Sequence, residues 1–106
     1  MNDSIELQLS PADKIKVRLF KYLKRENFYN IVAPEVSING CVADILCANG
    51  DIHIYEIKSK SDSLKRLESQ IKAFKTSADK VTLVVDVKFK DALLKRKDIE
   101  GIGIIF

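Results

Sequence analysis

Three residues near the middle of the chain have side chains that could hold a metal ion and direct a water molecule. Asp44 lies in one apolar run, and Glu56 and Lys58 lie two positions apart in the next run. Carboxylate oxygens are the ligands that Mg²⁺ prefers, and the ion keeps several of its waters. A lysine at such a site can orient the water and stabilise charge in the transition state. These residue types therefore indicate metal-assisted hydrolysis of a phosphodiester bond.

The apolar runs that carry these residues are predicted to be strands of a β-meander. Two Asn-Gly pairs, Asn39-Gly40 and Asn49-Gly50, separate runs that are rich in β-branched residues, and such pairs are strong hairpin signals. We expect three antiparallel strands over residues 29–38, 41–47 and 52–58. Because side chains alternate along a strand, Glu56 and Lys58 must point to the same face of the third strand.

The register of the second hairpin decides whether Asp44 joins Glu56. A two-residue turn at the second Asn-Gly pair would place Ala43 opposite Glu56 and turn Asp44 to the other face. A three-residue loop over residues 48–50 would pair Val42 with Glu56 and Asp44 with Ile54. Asp44 and Glu56 would then be diagonal neighbours on one face, roughly 7–8 Å apart at the backbone. We therefore predict the three-residue loop.

Helices and further strands are predicted on both sides of the meander. Ser10 caps a helix whose first residue is Pro11 and which runs to about Glu26. A second helix, capped by Ser61 or Asp62, has an apolar stripe at helical spacing, formed by Leu64, Leu67, Ile71, Phe74 and Ala78. A strand over residues 81–85, a short helix over 89–97 and a strand over 102–106 complete the order α-β-β-β-α-β-α-β. This order predicts one α/β domain, residues 1–106, with three layers and a mixed central sheet.

The order of these elements and polar residues resembles the PD-(D/E)xK nuclease superfamily. Asp44 on the second strand and Glu56-Ile57-Lys58 on the third match that superfamily's motif, although Ala43 replaces its proline. Gln70 and Phe74 resemble the Gln-x-x-x-Tyr signature of the RecB-like branch, with Phe in place of Tyr. The resemblance covers nearly the whole chain. It implies a restriction-endonuclease-like core of the small single-domain type found in phages and bacteria.

This resemblance implies a Mg²⁺-dependent deoxyribonuclease, an endonuclease that binds Mg²⁺ or Mn²⁺ and acts on DNA. In such an enzyme Lys58 would assist the attacking water, and Gln70 would orient water or substrate. The implied metal ligands are all oxygen donors, namely the carboxylates of Asp44, Glu56 and Glu35 and the backbone carbonyl of Ile57. Glu35 is included because a two-residue turn at the first Asn-Gly pair places it opposite Asp44.

Basic residues that follow the meander are candidate contacts to DNA phosphates. They are Lys60, Lys65, Arg66 and Lys72. The basic residues of the first helix, among them Lys14, Lys16 and Arg18, are spread around it and predict a solvated surface. His53 is predicted on the face opposite Glu56, in a structural or surface role.

Two alternatives to a simple nuclease stay open at this point. One is a Holliday-junction resolvase-type endonuclease, which would act as a homodimer and present two sites to two strands. The other is a nucleic-acid-binding or interaction module that has the fold but no activity. Metal titration separates a nuclease from this inactive module, since a nuclease site should bind Mn²⁺ and Glu56→Gln should abolish that binding.

Composition agrees with a small protein that has its own core. The chain has 106 residues, 46% of them hydrophobic, and a net charge of +3 that permits a nucleic-acid partner. No apolar stretch is as long as a membrane span, and the first residues lack the features of a signal peptide. Cys41 and Cys47 lie in one strand, where they cannot form a disulfide with each other. We therefore expect a reduced, cytoplasmic protein without a membrane partner.

Overall fold

The order of helices and strands in the computed structural model, which describes residues 8–106, is α-β-β-β-α-β-α-β as predicted. The helices are α1 (Pro11–Glu26), α2 (Leu67–Lys75) and α3 (Lys90–Leu94), with a 3-10 turn at Val87–Phe89 before α3. The strands are β1 (Ile31–Ile38), β2 (Cys41–Ala48), β3 (Ile52–Lys58), β4 (Lys80–Val85) and β5 (Gly103–Ile105). Within this described part, no helix is both long and apolar enough to cross a membrane.

The five strands form one mixed sheet in the order β1-β2-β3-β4-β5. β1, β2 and β3 are antiparallel neighbours joined by short hairpins, whereas β3, β4 and β5 are parallel. Parallel neighbours need a crossover connection, and α2 and α3 lie in the two crossovers. The carboxyl ends of β3 and β4 therefore lie side by side, where Lys58 pairs with Val85.

Helices cover both faces of this sheet. Leu23 of α1 packs on one face, in a cluster with Tyr55 of β3. Phe74 of α2 packs on the other face against Ile54, and Leu93 of α3 lies on that same side of the sheet. The result is a three-layer α/β arrangement with a mixed sheet in the middle.

The start of α1 follows the sequence closely. Oγ of Ser10 accepts a hydrogen bond from the backbone N–H of Asp13 at 3.1 Å, and Pro11 occupies the first turn. The helix ends at Asn27, whose φ of 57° is the left-handed conformation that asparagine tolerates. The predicted cap and bounds of this helix are confirmed.

The predicted start of α2 is wrong, because the helix begins at Leu67 and not near residue 62. The side chain of Asp62 does not cap a helix. Its Oδ2 instead accepts hydrogen bonds from the N–H and the hydroxyl of Ser59, at 2.7 and 2.9 Å. The N–H of Asp62 also donates to the carbonyl of Ser59 at 3.0 Å, so residues 59–62 form a turn at the end of β3.

The β2–β3 hairpin has the predicted loop length but a different register. Its loop is residues 49–51, since Ala48 pairs with Ile52, so the loop lies one residue later than predicted. The predicted pairing of Asp44 with Ile54 is wrong, because Ile54 pairs with Leu46. In the continuation of this register, Asp44 lies directly opposite Glu56.

The β1–β2 hairpin has the predicted two-residue turn. Ile38 pairs with Cys41 across Asn39-Gly40, and both turn residues have positive φ. The same register brings Glu35 opposite Asp44, as predicted. Glu35 itself has a φ of 53°, so the backbone of β1 is distorted next to Asp44.

Candidate functional site

The regular alternation of β2 is broken at Asp44. Ala43 packs in the cluster of Phe74, below one face of the sheet, whereas Ile45 packs in the cluster of Leu23 on the other face. Residues two apart on a regular strand share a face, so a distortion must lie between them. The paired residues of β2 and β3 also end at Ile45 and do not reach Asp44. The strands therefore separate at this point.

Where β2 and β3 separate, hydrogen bonds from backbone N–H groups to side chains replace the hydrogen bonds between the two backbones. The N–H of Ile57 donates to Oδ2 of Asp44 at 2.7 Å. The N–H of Asp44 donates to Oε1 of Glu56 at 3.3 Å. Each carboxylate is thus oriented by the backbone of the neighbouring strand, and the two acidic side chains meet in the gap.

Glu56 is the most deeply buried carboxylate of this site, with 3% of its surface exposed. Its Oε2 accepts a hydrogen bond from Nε2 of Gln70 at 3.1 Å and lies 3.6 Å from Nζ of Lys58. Burial, followed by the charge of Asp44, raises the pKa of Glu56 to about 8, and the charge of Lys58 opposes that shift. The pocket around Glu56 therefore favours either a proton or an added cation.

Gln70 contributes a polar atom that the fold leaves unused. The residue is 5% exposed, and its Oε1 has no hydrogen-bond partner among residues 8–106. A buried acceptor without a partner costs about 1–3 kcal/mol, so such atoms are rare in native cores. Because Nε2 of the same amide holds Glu56, the unused oxygen lies beside the carboxylates.

Lys16 of α1 is a site residue that the sequence did not reveal. Its Nζ lies 3.0 Å from Oε1 of Glu35 and 3.8 Å from Oδ1 of Asp44. Burial opposes its charge, but the hydrogen bond to Glu35 and the charge of Asp44 prevail and raise the pKa of Lys16. The only local signal was its spacing from Asp13, because the position of α1 over β1 and β2 is a tertiary feature.

The predicted metal ligands are only partly brought together. Asp44 and Glu56 meet, while the carboxylate of Glu35 is paired with Lys16 and is two-thirds exposed. Ile57 contacts Asp44 through its N–H group. Considering the described residues alone, no group of three or more His, Cys, Asp or Glu side chains could hold a metal ion. The cluster therefore offers two side-chain carboxylates at most.

The four basic residues predicted to contact DNA are all exposed. Lys60 follows β3, and Lys65 and Arg66 precede α2, so they lie near the end of the strand that carries Glu56. Lys72 forms an ion pair with Glu68 at 3.4 Å on the outer side of α2. Arg66 also lines a cavity of about 240 Å³ together with Gln70. Their role as DNA contacts stays a prediction.

His53 belongs to a separate network on the α1 side of the sheet. Its two ring nitrogens lie 2.7 Å from the hydroxyl oxygens of Tyr29 and Thr82. The ring also stacks on Tyr55, with 4.2 Å between ring centroids. The structural role predicted for this histidine agrees with these contacts.

The fold and the site together define a mixed α/β domain with a buried carboxylate, lysine and glutamine cluster at the carboxyl end of β3. The sequence model of Bacteriophage P4 protein cII matches residues 7–106, and the chain belongs to this family. Over 96 residues it is 36% identical to "Protein cII" of Enterobacteria phage P4, covering 84% of this chain and 35% of that protein. The chain thus spans about a third of the length of that relative. No solved structure matches the chain.

The family match overturns the assignment to the PD-(D/E)xK nuclease superfamily. The expected functions that came with it are also wrong, namely a nuclease, a hydrolase and a Mg²⁺-dependent deoxyribonuclease, and with them the resolvase-type endonuclease. The error has a physical origin. The motif consists of a few polar residues on neighbouring strands, and the alternation of polar and apolar residues produces that pattern in unrelated sheets.

Proposed function

We propose that this chain is a binding domain that takes one Mg²⁺ or Mn²⁺ ion between Asp44 and Glu56 and contacts DNA beside it. Hydrolysis is not part of this proposal. The role proposed for the cation is to neutralise the acidic cluster, so that DNA phosphates can approach the basic residues around it.

The observation that carries the proposal is the buried carboxylate of Glu56 next to that of Asp44. Two like charges in a poorly solvated place are unfavourable, and Lys58, 3.6 Å away, supplies only one positive charge. Asp44 is in addition close to Lys16, but that ammonium lies nearer to Glu35. A divalent cation would relieve the repulsion that the fold leaves in place.

The donor set suits a hard cation that keeps part of its water. Mg²⁺ is commonly held by one or two carboxylates, with water in its remaining positions, so a third acidic side chain is not needed. Water held by such an ion would also offer a hydrogen-bond donor to Oε1 of Gln70, which has none within residues 8–106. This unused acceptor supports the site independently of the two carboxylates.

DNA is proposed as the partner because exposed cations follow the strand that carries Glu56. Lys60 comes after β3, Lys65 and Arg66 come before the helix that carries Gln70, and the chain as a whole has a net charge of +3. An acidic cluster without its ion would repel phosphates, so binding should depend on the cation. We further propose that residues 1–106 form one cytoplasmic domain. Its core would share the architecture of restriction endonucleases without their activity. A homodimer stays a prediction.

Calorimetric titration with Mn²⁺ tests the cation site directly. Wild-type protein should show one saturable site, and both Asp44→Asn and Glu56→Gln should weaken or abolish it, because each removes a charged ligand. Asp91→Asn is a matched control, since this aspartate is exposed on α3 and is not one of the proposed ligands. The proposal fails if wild-type protein gives no saturable signal or if the control variant loses binding equally.

Fluorescence anisotropy with a labelled DNA duplex tests the second half of the proposal. Affinity should rise when Mg²⁺ replaces monovalent salt at constant ionic strength, and Glu56→Gln should remove that increase. Ordinary screening would predict the opposite, because divalent cations compete for DNA phosphates. Equal or weaker binding in Mg²⁺ would therefore contradict a cation-assisted interface.

A further inference from the structure

We infer that a cavity at the end of β3, the strand that carries Glu56, binds one phosphate group of the DNA backbone. The cavity has a volume of about 280 Å³ and lies between the first half of α1 and the ends of β3 and β4. The inference that this cavity contacts DNA rests on the proposed function. The inference that it binds phosphate can be tested without DNA.

Positive charge dominates the lining of this cavity, defined here as the α1 pocket. Lys14 and Arg18 reach it from α1, and Lys60 reaches it from the segment after β3. The opposing charge is that of Asp86, whose Oδ2 accepts a hydrogen bond from the backbone N–H of Lys88 at 2.9 Å. Lys14 and Lys60 against the single carboxylate of Asp86 favour an anion, and lysine is a common binder of phosphate in proteins.

The α1 pocket lies at the carboxyl ends of two parallel strands. Ser59 and Asp86, which line it, directly follow Lys58 and Val85, and these two strand ends are paired. The N–H of Asp86 also donates to the carbonyl of Lys58 at 2.8 Å, which joins the two strand ends. In open α/β sheets, ligands bind in the crevice outside the carboxyl ends of the strands. Ser59 directly follows Lys58, whose Nζ lies 3.6 Å from Oε2 of Glu56, so the pocket and the carboxylate cluster share the end of β3.

The amino end of α1 adds a second source of positive potential. Pro11, in the first turn of the helix, lines the pocket together with Lys14. The aligned peptide dipoles of a helix place partial positive charge at its amino end, and this 16-residue helix is long enough to develop that field. The field and the cationic side chains act in the same direction.

The dimensions of the pocket suit a small group. About 280 Å³ is at the low end of the range of ligand cavities, which suits a phosphate with part of its sugar. Ser59 is 1% exposed and its hydroxyl is already bound to Asp62 at 2.9 Å, so it forms a fixed wall. The anion would therefore be held by Lys14 and Lys60.

Titration of the protein with inorganic phosphate, followed by ¹H–¹⁵N NMR at constant ionic strength, tests the pocket without DNA. The amide signals of Lys14, Ser59 and Lys60 should move in a saturable way. Signals of Lys95 and Lys97, exposed on the other side of the sheet, should stay in place. Absence of localised shifts would overturn the inference that the pocket binds phosphate, whether or not the protein binds DNA.

Anisotropy measurements on variants then test the pocket as a DNA contact. The double variant Lys14→Ala, Lys60→Ala should lower the salt dependence of DNA binding by about two units of slope, because each phosphate contact contributes about one. The control Lys95→Ala, Lys97→Ala removes the same charge and should leave the slope unchanged. Lys14→Ala alone, with Lys60 intact, should lower it by about one.

The outcomes separate this inference from the proposed function. If phosphate shifts the amide signals of the pocket and the Lys14 and Lys60 variants show a lower salt dependence of DNA binding, both the pocket and the proposed function are supported. Phosphate shifts without any DNA binding by wild-type protein support the pocket and overturn DNA as the partner. DNA binding that is insensitive to Lys14→Ala overturns the pocket as part of the DNA interface.

Discussion

The backbone N–H of Asp44 donates to Oε1 of Glu56 at 3.3 Å, so the main chain of one acidic residue orients the side chain of the other. This contact exists because the β2–β3 ladder ends at Ile45 and leaves that N–H free to bind a side chain. The separation of two strands thus creates the carboxylate cluster, and the pairing of the same strands elsewhere holds it in place.

The stability of the metal-free protein should fall as pH rises towards 8, because of Glu56. Its pKa is raised to about 8 in the folded protein, above the ordinary value near 4.5 in the unfolded chain. A raised folded-state pKa contributes stability that is complete below the unfolded pKa and is lost as pH rises through the folded pKa. The free energy of unfolding, measured in EDTA by urea titration from pH 5 to pH 9, should therefore show this loss.

Glu56→Gln should flatten that pH dependence and leave the variant more stable than wild type near pH 9. Glu68→Gln is the matched control, because Glu68 is exposed on α2, and it should keep the wild-type profile. If Glu56→Gln retained the full loss of stability between pH 5 and pH 8, another group would be its source.

Lys16→Met should change stability little but should tighten Mn²⁺ binding. The ion pair of Lys16 with Glu35 is worth less than about 1 kcal/mol, because Glu35 is largely exposed. The ammonium is 3.8 Å from Asp44, and its removal lowers the positive potential that an added cation meets. Calorimetric titration should give a lower Kd than for Lys21→Met, an exposed lysine of the same helix. An unchanged or higher Kd would show that Lys16 does not oppose the cation.

His53 should make the protein less stable as pH falls, which is opposite to the effect of Glu56. Burial and then the charge of Lys80 lower the pKa of His53 below its ordinary value of 6.5. A lowered folded-state pKa gives stability that is present above the unfolded pKa and is lost as pH falls through the folded pKa. The difference in unfolding free energy between wild type and His53→Gln should therefore shrink from pH 7 to pH 5. A difference that stays constant over this range would exclude His53 as a titrating group.

Tyr29→Phe tests the hydrogen bond between the Tyr29 hydroxyl and the ring of His53. Removing the hydroxyl that lies 2.7 Å from Nδ1 of His53 should cost about 0.5–1.5 kcal/mol in urea titrations. Tyr22→Phe, at a largely exposed position of α1, should cost less. Equal effects would mean that the Tyr29 hydroxyl is not stabilising.

Phe74→Ala should destabilise the protein by about 3–5 kcal/mol, as expected for removal of a fully buried aromatic ring. Phe74 has no exposed surface and packs against Ile54 and Val81 under the sheet. Phe28→Ala is the matched control, since that ring is 60% exposed, and its effect should stay within about 0.5 kcal/mol. Similar midpoints for the two variants in urea would contradict the packing of α2 on the sheet.

Local signals in the sequence were sufficient for most of the secondary structure. Ser10 and Pro11 define the start of α1, and Asn39-Gly40 defines a two-residue turn, because capping and turn formation depend on neighbouring residues. The start of α2 was misplaced because Asp62, a good capping residue, finds a tertiary partner in Ser59. The register of the second hairpin was misplaced because the three-residue loop was predicted at residues 48–50 and lies at residues 49–51.

The candidate site could be predicted from the sequence only as a set of residue types. Glu56 and Lys58 share a face of β3 because strand side chains alternate, and that much follows from their spacing. Lys16 was missed, and Glu35 was given a ligand's role, because the contact between them depends on how α1 lies over β1. The family, too, did not follow from the motif, since three polar residues on two strands carry too little information.

The sequence by itself determined the order of elements, the first helix cap, the turn of the first hairpin and the buried apolar positions of α2, because these depend on residues close together in the chain. Only the tertiary structure decided that the β2–β3 ladder ends before Asp44 and that Glu56 is buried against Gln70. It also placed Lys16 between Glu35 and Asp44. The physical reason is that burial and charge depend on packing between distant segments. The environment of each ionisable group, and so its chemistry, is fixed only when α1 and α2 close over the two faces of the sheet.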